Sequence, residues 1–383
     1  MLRATKIVAT LGPASSDPEV LERLLRAGVD VVRLNFSHGK AQDHIDRARL
    51  VREVAAKIGK PVALMADLQG PKIRVGKFAD GKVLLEPGAA FVLDAERTEP
   101  GDLQGVGLDY KELPRDVRPG DTLLLNDGLI KLTVEAVRGE QVHTRVVLGG
   151  ELSNNKGINK SGGGLTAPAL TAKDMEDIKT AVSFQCEYLA VSFPKSATDM
   201  EMARQLANVA GEATRHKPAM IAKIERSEAI PQLEAILRAS DGIMVARAED
   251  VSLETDFTNK KFGRIDQSIA MGALFTAHHL GCKAIIALTE SGSTALWMSR
   301  HNIKVPIYGM TSQVNSERRM TLYRNVRPLL MPKMTERDEA LAKAEAMLVE
   351  KGVLKPGDTY AITCGEPMGY PGGTNMLKVC QVG

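Results

Sequence analysis

Aromatic residues are scarce in this sequence, and their scarcity excludes one class of ligand. Only 4% of the 383 residues are Phe, Trp or Tyr, and no basic run is interleaved with aromatic side chains, as a surface that stacks on bases would need. The 50 basic and 47 acidic residues leave a net charge of +3, which argues neither for nor against nucleic acid. We expect no nucleic-acid partner.

Paired cysteines and long apolar runs are also lacking. The four cysteines are scattered without a CxxC pair, which favours free thiols in a reducing cytoplasm over disulfides or a zinc site. No apolar stretch approaches the ~18 residues of a membrane helix, and the first residues lack the apolar segment of a signal peptide. We therefore predict a cytoplasmic protein with no membrane association, large enough for two or three domains.

The pattern of the sequence divides the chain into three domains. Residues 1–71 and 165–248 alternate β-branched runs with amphipathic segments, which predicts parallel strands covered by helices. Residues 72–164 carry Gly and Pro turns between alternating segments and predict an inserted small β-barrel. Residues 249–383 are typical of a doubly wound α/β domain. In the first helix, Asp17 is the expected N-cap, with Pro18 at the first position and Gly28 at the end.

The α/β part of the first domain is too short for a closed barrel. It contains six predicted strands, whereas a (β/α)₈ TIM barrel has eight in ~250 residues. The shortfall of two units, roughly 100 residues against a full barrel, lies at Arg247–Ala248. Either the protein lacks this segment or the sequence omits it. A real deletion would expose strand edges and apolar faces, which favours an omission.

Polar residues gather where the predicted strands end. Arg33, Asn35 and Ser37 share one face of the second strand, and the carboxyl ends of barrel strands carry the active site. A polar loop would explain Ser37 and His38 but not Arg33 inside the strand. Asp67, after the third strand, could either ligate a cation or cap a turn.

Lys223 and Glu225 lie two residues apart at the end of a β-prone run, so both side chains point to one face. A cation beside a carboxylate can hold a transferring phosphoryl group and its metal. An internal ion pair is the alternative, and it is weakened by Arg33 and Asp67 on the same inward side.

A loop in the last domain joins a strand to a helix and could bind an anion. Hydroxyl groups and free backbone N–H groups at a helix N-terminus suit a phosphate, although an ordinary capping loop explains the pattern equally well. The predicted effector-phosphate residues are Thr289, Ser291, Gly292, Ser293 and Thr294.

Taken together, these segments resemble the pyruvate kinase family over essentially the whole chain. The matching motifs, in order, are TKIVATLGPAS, RLNFSHG, DLQGPKIR, KGIN, GGGLTAP, YLAVSF, AKIER, SDGIMVAR, TESGS and GGTNMLKV. The resemblance implies a TIM barrel, an inserted β-barrel lid, a C-terminal α/β regulatory domain and a homotetramer. It also implies phosphoryl transfer from phosphoenolpyruvate to ADP, giving pyruvate and ATP.

The resemblance also implies roles for individual residues. Arg33 and Lys223 would act on the phosphoryl group, Arg33 would also contact the nucleotide, and Glu225 would bind Mg²⁺ or Mn²⁺. Asn35, Ser37 and Asp67 match a monovalent-cation site. The remaining substrate and nucleotide contacts implied are Asn35, His38, Arg74 and Lys156.

Two departures from the family pattern alter these expectations. Lys72 stands where the family often has Glu, and its ammonium could replace the charge of K⁺, so we predict that K⁺ is dispensable. The family's GDLG loop, with its second Mg²⁺ ligand, is absent, and neither Glu249 nor Asp250 follows a comparable glycine. An inactive protein that still binds nucleotide and sugar phosphate is therefore the alternative. A metal-dependent lyase would leave the lid and the last domain unexplained.

Overall fold

The computed structural model describes residues 3–71, 73–126, 128–225, 227–245, 263–370 and 372–383. Lys72, the junction at 247–248 and the acidic pair at 249–250 lie outside the described residues. None of the helices in these ranges is long and apolar enough to cross a membrane.

The chain begins with alternating strands and helices. These are β1 (Val8–Thr10), α1 (Pro18–Ala27), β2 (Val31–Asn35), α2 (Ala41–Lys57) and β3 (Ala63–Asp67). The predicted ends of α1 are confirmed: the Asp17 side chain accepts hydrogen bonds from the backbone N–H groups of the first turn, Pro18 opens the helix, and Gly28 ends it with φ of 119°.

A segment rich in antiparallel strands follows. Its elements are β4 (Lys82–Leu85), β5 (Ala90–Asp94), β6 (Gly105–Gly107), α3 (Leu113–Asp116), β7 (Thr122–Leu125), β8 (Ile130–Arg138), β9 (Gln141–Leu148), β10 (Gly150–Ser153) and β11 (Ile158–Lys160). They form a six-stranded sheet in the order β11-β7-β8-β9-β5-β6 and a two-stranded sheet of β10 and β4. The two sheets share one apolar core, because alternate residues of each strand point inward.

The alternation of helix and strand then resumes. Its elements are α4 (Ala172–Ser183), β12 (Tyr188–Val191), α5 (Ala197–Ala210), β13 (Ala219–Ile224), α6 (Leu233–Ala239) and β14 (Gly242–Val245). Together with the first three strands they build one parallel sheet in the order β1-β2-β3-β12-β13-β14.

This parallel sheet is a TIM barrel that does not close. Within the described residues β1 and β14 each have a single neighbour, and Val8 and Val245 on these edges are exposed. The helices cover the outer face, and a smaller apolar cluster fills the inner face, where Leu322 of the last domain packs against it. The predicted incomplete barrel is therefore confirmed.

The C-terminal part forms a separate α/β sheet. Its elements are α7 (Ile265–His279), β15 (Ala284–Leu288), α8 (Ser293–Ser299), β16 (Ile307–Thr311), α9 (Val314–Met320), β17 (Val326–Leu330), α10 (Arg337–Glu350), β18 (Thr359–Gly365) and β19 (Thr374–Gln381). The strand order is β17-β16-β15-β18-β19, with β19 antiparallel to β18. The predicted doubly wound α/β architecture is confirmed.

Candidate active site

Arg33 and Asp67 meet at the carboxyl end of the parallel sheet. In the β2–β3 register Asn35 lies opposite Asp67, and this brings Arg33 within reach of the buried carboxylate. Arg33 Nε donates to Asp67 Oδ2 at 2.6 Å, and its NH2 group pairs with the same oxygen. Arg33 NH1 donates to Thr10 Oγ1 at 2.8 Å. The guanidinium is thus held from two sides.

Lys223 lies between two carboxylates. Its Nζ is 3.2 Å from Asp67 Oδ1 and 3.3 Å from Glu225 Oε1. It also donates to Ser192 Oγ at 2.9 Å, and that hydroxyl donates to the carbonyl of Leu68 at 2.6 Å. The side chains of Arg33, Asp67, Lys223 and Glu225, which the sequence predicted to point inward, therefore form one charged cluster. Lys223 is mostly buried within it.

Glu225 has an oxygen that could accept a metal ion. Its Oε2 is buried and has no hydrogen-bond partner among the described residues, an expensive arrangement for a carboxylate unless a cation completes it. No group of three His, Cys, Asp or Glu side chains that could hold a metal occurs in those residues. Proteins bind Mg²⁺ through one or two carboxylates, and water and substrate phosphates supply the other ligands. A single carboxylate from Glu225 therefore suits a Mg²⁺ ion whose remaining ligands come from the substrate and water.

The predicted monovalent-cation ligands lie near this cluster but are partly engaged. Asn35 Oδ1 accepts the backbone N–H of Ser37 at 3.0 Å, and both carboxylate oxygens of Asp67 face cations of the protein. His38 is exposed on the loop after β2. The roles predicted for these side chains stay predictions.

Residues of the β-rich segment between β3 and α4 face the charged cluster across a cleft of about 770 Å³. Arg74, Lys156 and Glu225 all line this cleft. The first two are held together because Arg74 forms an antiparallel bridge with Gly157 and the N–H of Val75 donates to the carbonyl of Lys156 at 2.9 Å. The predicted nucleotide contacts and the predicted metal ligand thus share one opening.

The predicted effector loop precedes α8 and only part of it is accessible. Thr289 Oγ1 accepts the N–H of Gly292 at 3.0 Å, and Gly292 adopts the left-handed conformation with φ of 82°. Thr294 is fully buried and bonds Thr374 at 2.7 Å. Glu290 accepts from Gln313 Nε2 at 3.2 Å. Thr294 therefore lies behind the loop surface that a ligand would contact.

Sequence reasoning missed Thr10 and Ser192. Both lie where strands end, Thr10 as the last residue of β1 and Ser192 directly after β12, and both bond a cation of the cluster. The rule that selected Arg33 and Asp67, polarity at the carboxyl end of a barrel strand, would have selected them too.

Two family models match nearly the whole chain. The pyruvate kinase barrel domain matches residues 2–265, and the pyruvate kinase alpha/beta domain matches residues 267–380. The chain belongs to the pyruvate kinase family.

Individual pyruvate kinases align with this chain over nearly their full length. Pyruvate kinase II of Salmonella typhimurium is 38% identical, covering 100% of this chain and 99% of the relative. The pyruvate kinase of Haemophilus influenzae is 37% identical, covering 99% and 98%, and that of Corynebacterium glutamicum is 30% identical, covering 100% and 98%. The predicted family, that of the phosphotransferase pyruvate kinase, is confirmed.

The alignment with the Salmonella relative also gives the number of aligned positions that this chain lacks. The alignment with the Salmonella pyruvate kinase spans 479 positions, and this chain has 383 residues, so at least 96 positions have no residue of this chain opposite them. This agrees with the six strands of the open sheet and with the expected loss of roughly 100 residues.

Proposed function

We propose that the cluster of Arg33, Asp67, Lys223 and Glu225 is the phosphoryl-transfer centre, which moves the phosphoryl group of phosphoenolpyruvate to ADP. The observation that carries this proposal is the Lys223 ammonium, 3.2 Å from Asp67 and 3.3 Å from Glu225, at the carboxyl end of the sheet. Phosphoryl transfer is catalysed mainly by positioning and by neutralising charge, and a preorganised cation in a partly dehydrated site does both.

In this proposal each charged residue has one task. Arg33 and Lys223 neutralise the equatorial oxygens of the phosphoryl group as it moves. Asp67 holds both cations in place through its two oxygens. Arg74 and Lys156, across the cleft, contact the phosphates of the nucleotide.

A divalent ion would be held by Glu225, through the oxygen that has no hydrogen-bond partner in the described part of the chain. When bound, Mg²⁺ or Mn²⁺ would neutralise phosphate charge and orient the phosphates for in-line transfer.

We propose that K⁺ is dispensable because the ammonium group of Lys72 replaces the positive charge of the bound ion. A steep rise of activity with K⁺ at constant ionic strength would refute that part.

A coupled assay for pyruvate formation tests the proposal. We expect turnover that requires phosphoenolpyruvate, ADP and Mg²⁺ and that is lost in Lys223→Met. The second candidate, an inactive protein that still binds nucleotide, is favoured by the at least 96 positions without a counterpart in this chain. Calorimetric ADP binding without turnover by the full-length protein would support that candidate.

The assembly and the effector remain proposals that follow from the family. A homotetramer would bury three exposed apolar side chains, Ile265 and Phe275 in α7 and Leu280 directly after it. Sedimentation velocity would measure the number of subunits. A sugar phosphate would bind at Thr289, Ser291, Gly292 and Ser293, and Thr289 lines one pocket with Lys333. A cytoplasmic location would suit the four unpaired thiols.

A further inference from the structure

Phe36 is adjacent in the chain to predicted site residues, although its side chain belongs to the apolar core on the outer face of the sheet. It stands between Asn35 and Ser37 on the loop after β2 and is buried. Its backbone N–H donates to the carbonyl of Asp67 at 2.9 Å. The position of Phe36 therefore affects the predicted residues on either side of it and the main chain of Asp67.

His44 holds the ring of Phe36. The two rings stack with centroids 3.9 Å apart and planes 15° from parallel. His44 is 1% exposed, and neither ring nitrogen makes a hydrogen bond of normal geometry among the described residues, although the backbone of His38 acts on the ring. Burying an imidazole without a well-formed hydrogen bond costs stability that an apolar ring would not, so this position is poorly explained by packing alone.

Lys173 holds the backbone of Phe36. Its Nζ donates to the Phe36 carbonyl at 2.9 Å and pairs with Asp177 one turn further along α4. The next residue, Asp174, accepts the N–H of Gly70 at 3.0 Å. The first turn of α4 thus holds both the loop after β2 and the loop after β3.

We propose that His44 and Lys173 are positioning residues that clamp Phe36, and through it set the orientation of Asn35, Ser37 and Asp67 for phosphoryl transfer. The clamp consists of the stack with His44, the hydrogen bond from Lys173 and the ion pair that orients Lys173 toward the loop. The role of the clamp in catalysis rests on the proposed function, but its effect on the stability of the loop after β2 does not.

Hydrogen exchange by mass spectrometry in the substrate-free protein measures the clamp directly. In His44→Ala and Lys173→Met we expect the peptide spanning residues 34–40 to exchange about tenfold faster, the size expected for losing one aromatic pair in the first variant and one hydrogen bond from a charged donor in the second. His44→Phe keeps a stacked ring, and Lys173→Arg keeps a donor, so both should stay within about twofold of wild type.

The matched control is Lys179→Met, which removes an exposed lysine of α4 whose partner is Glu176 and should leave exchange at 34–40 unchanged. Unchanged exchange at 34–40 in both His44→Ala and Lys173→Met would overturn the proposal. So would an equal rise across the whole chain, because that would indicate general destabilisation. If His44→Ala fails to fold, Lys173→Met decides alone.

A kinetic readout separates this inference from the proposed function. In protein that forms pyruvate, Lys173→Met should lower kcat more than it raises the KM for ADP, because the proposed contacts of Arg74 and Lys156 with the nucleotide phosphates do not depend on the loop after β2. A lower kcat restored by Lys173→Arg supports positioning, and an unchanged kcat overturns it. If the wild type forms no pyruvate, the proposed function fails while the exchange result still decides whether the clamp exists.

Discussion

Arg33 and Asp67 form a largely buried ion pair across two neighbouring strands, with Nε 2.6 Å from Oδ2. The second oxygen of Asp67 faces Lys223, so one carboxylate compensates two cations. Breaking such a pair by removing one partner leaves an uncompensated charge and costs about 3 kcal/mol or more.

Asp67→Asn should therefore destabilise the protein by about 3 kcal/mol, because Arg33 and Lys223 would then face each other without their shared counter-charge. Urea unfolding measures this loss. The matched control is Asp46→Asn, which breaks an exposed pair with Arg49 and should cost under about 1 kcal/mol. Equal effects in the two variants would contradict the account of Asp67.

Replacing Lys223 should lower turnover strongly without unfolding the protein. We expect Lys223→Met to lower kcat by about 10²–10³-fold, the effect of removing one preorganised donor. Lys223→Arg should not restore it, since a planar guanidinium does not replace a compact ammonium. Lys57→Met, on the exposed side of α2 and paired with Glu22, is the control expected to keep wild-type kcat.

The stability of the fold should depend on pH through His44. Burial lowers its pKa below the ordinary value of 6.5; the backbone of His38 and the carboxylate of Asp177 oppose this shift, while Arg47 and Lys173 add to it. The unfolded chain thus takes up a proton at a higher pH than the folded protein does. Stability from the neutral ring is complete above about pH 6.5 and is lost as the pH falls below it.

His44→Phe should remove this dependence. Each unit by which the pKa is lowered corresponds to about 1.4 kcal/mol, so the unfolding free energy of the wild type should fall more steeply than that of the variant between pH 7 and pH 5. Parallel urea-unfolding curves for the two proteins across that range would contradict the assignment.

The open edges of the barrel should make the 383-residue chain prone to association. Among the described residues β1 and β14 each pair with a strand on one side only and carry exposed apolar side chains, and such edges template pairing with other chains. We expect concentration-dependent association in light scattering, reduced by Val8→Lys and Val245→Lys together. A chain that stays monomeric at high concentration, with or without the lysines, would argue against exposed edges.

Trp297 provides a probe for the effector loop. It is the only tryptophan in the sequence, lies in α8 directly after the loop, and has the Arg300 guanidinium 4.2 Å from its ring centroid. A sugar phosphate that binds at Ser291 and Ser293 should change its fluorescence and shift the phosphoenolpyruvate saturation curve. Fructose bisphosphate and sugar monophosphates are the compounds to titrate, and no response to any of them would reject the site.

The sequence predicted the fold more completely than the contacts within the site. Local signals were sufficient for the ends of α1, where Asp17 and Gly28 act on their own helix, and strand alternation placed Arg33 and Asn35 on one face. The alternation of side chains along a strand does not predict which side chains of different strands form contacts. The partners of Asp67 lie 34 and 156 residues away, and the contact between Lys173 and Phe36 spans 137 residues, so only packing of the sheet and α4 could reveal them.

The size of the natural protein bears on every activity measurement. The mass calculated from this sequence is 41.4 kDa, and the two missing barrel units would add about 10 kDa. We expect intact-mass spectrometry of the protein from its source to give the larger value, because an open barrel is costly to stabilise. A mass near 41.4 kDa would mean that the deletion is real.

Pyruvate formation by the full-length protein tests the central claim most directly. With phosphoenolpyruvate, ADP and Mg²⁺, the account predicts turnover in the wild type, its loss in Lys223→Met and its retention in Lys57→Met. Absence of pyruvate from a full-length, folded wild-type protein would contradict it.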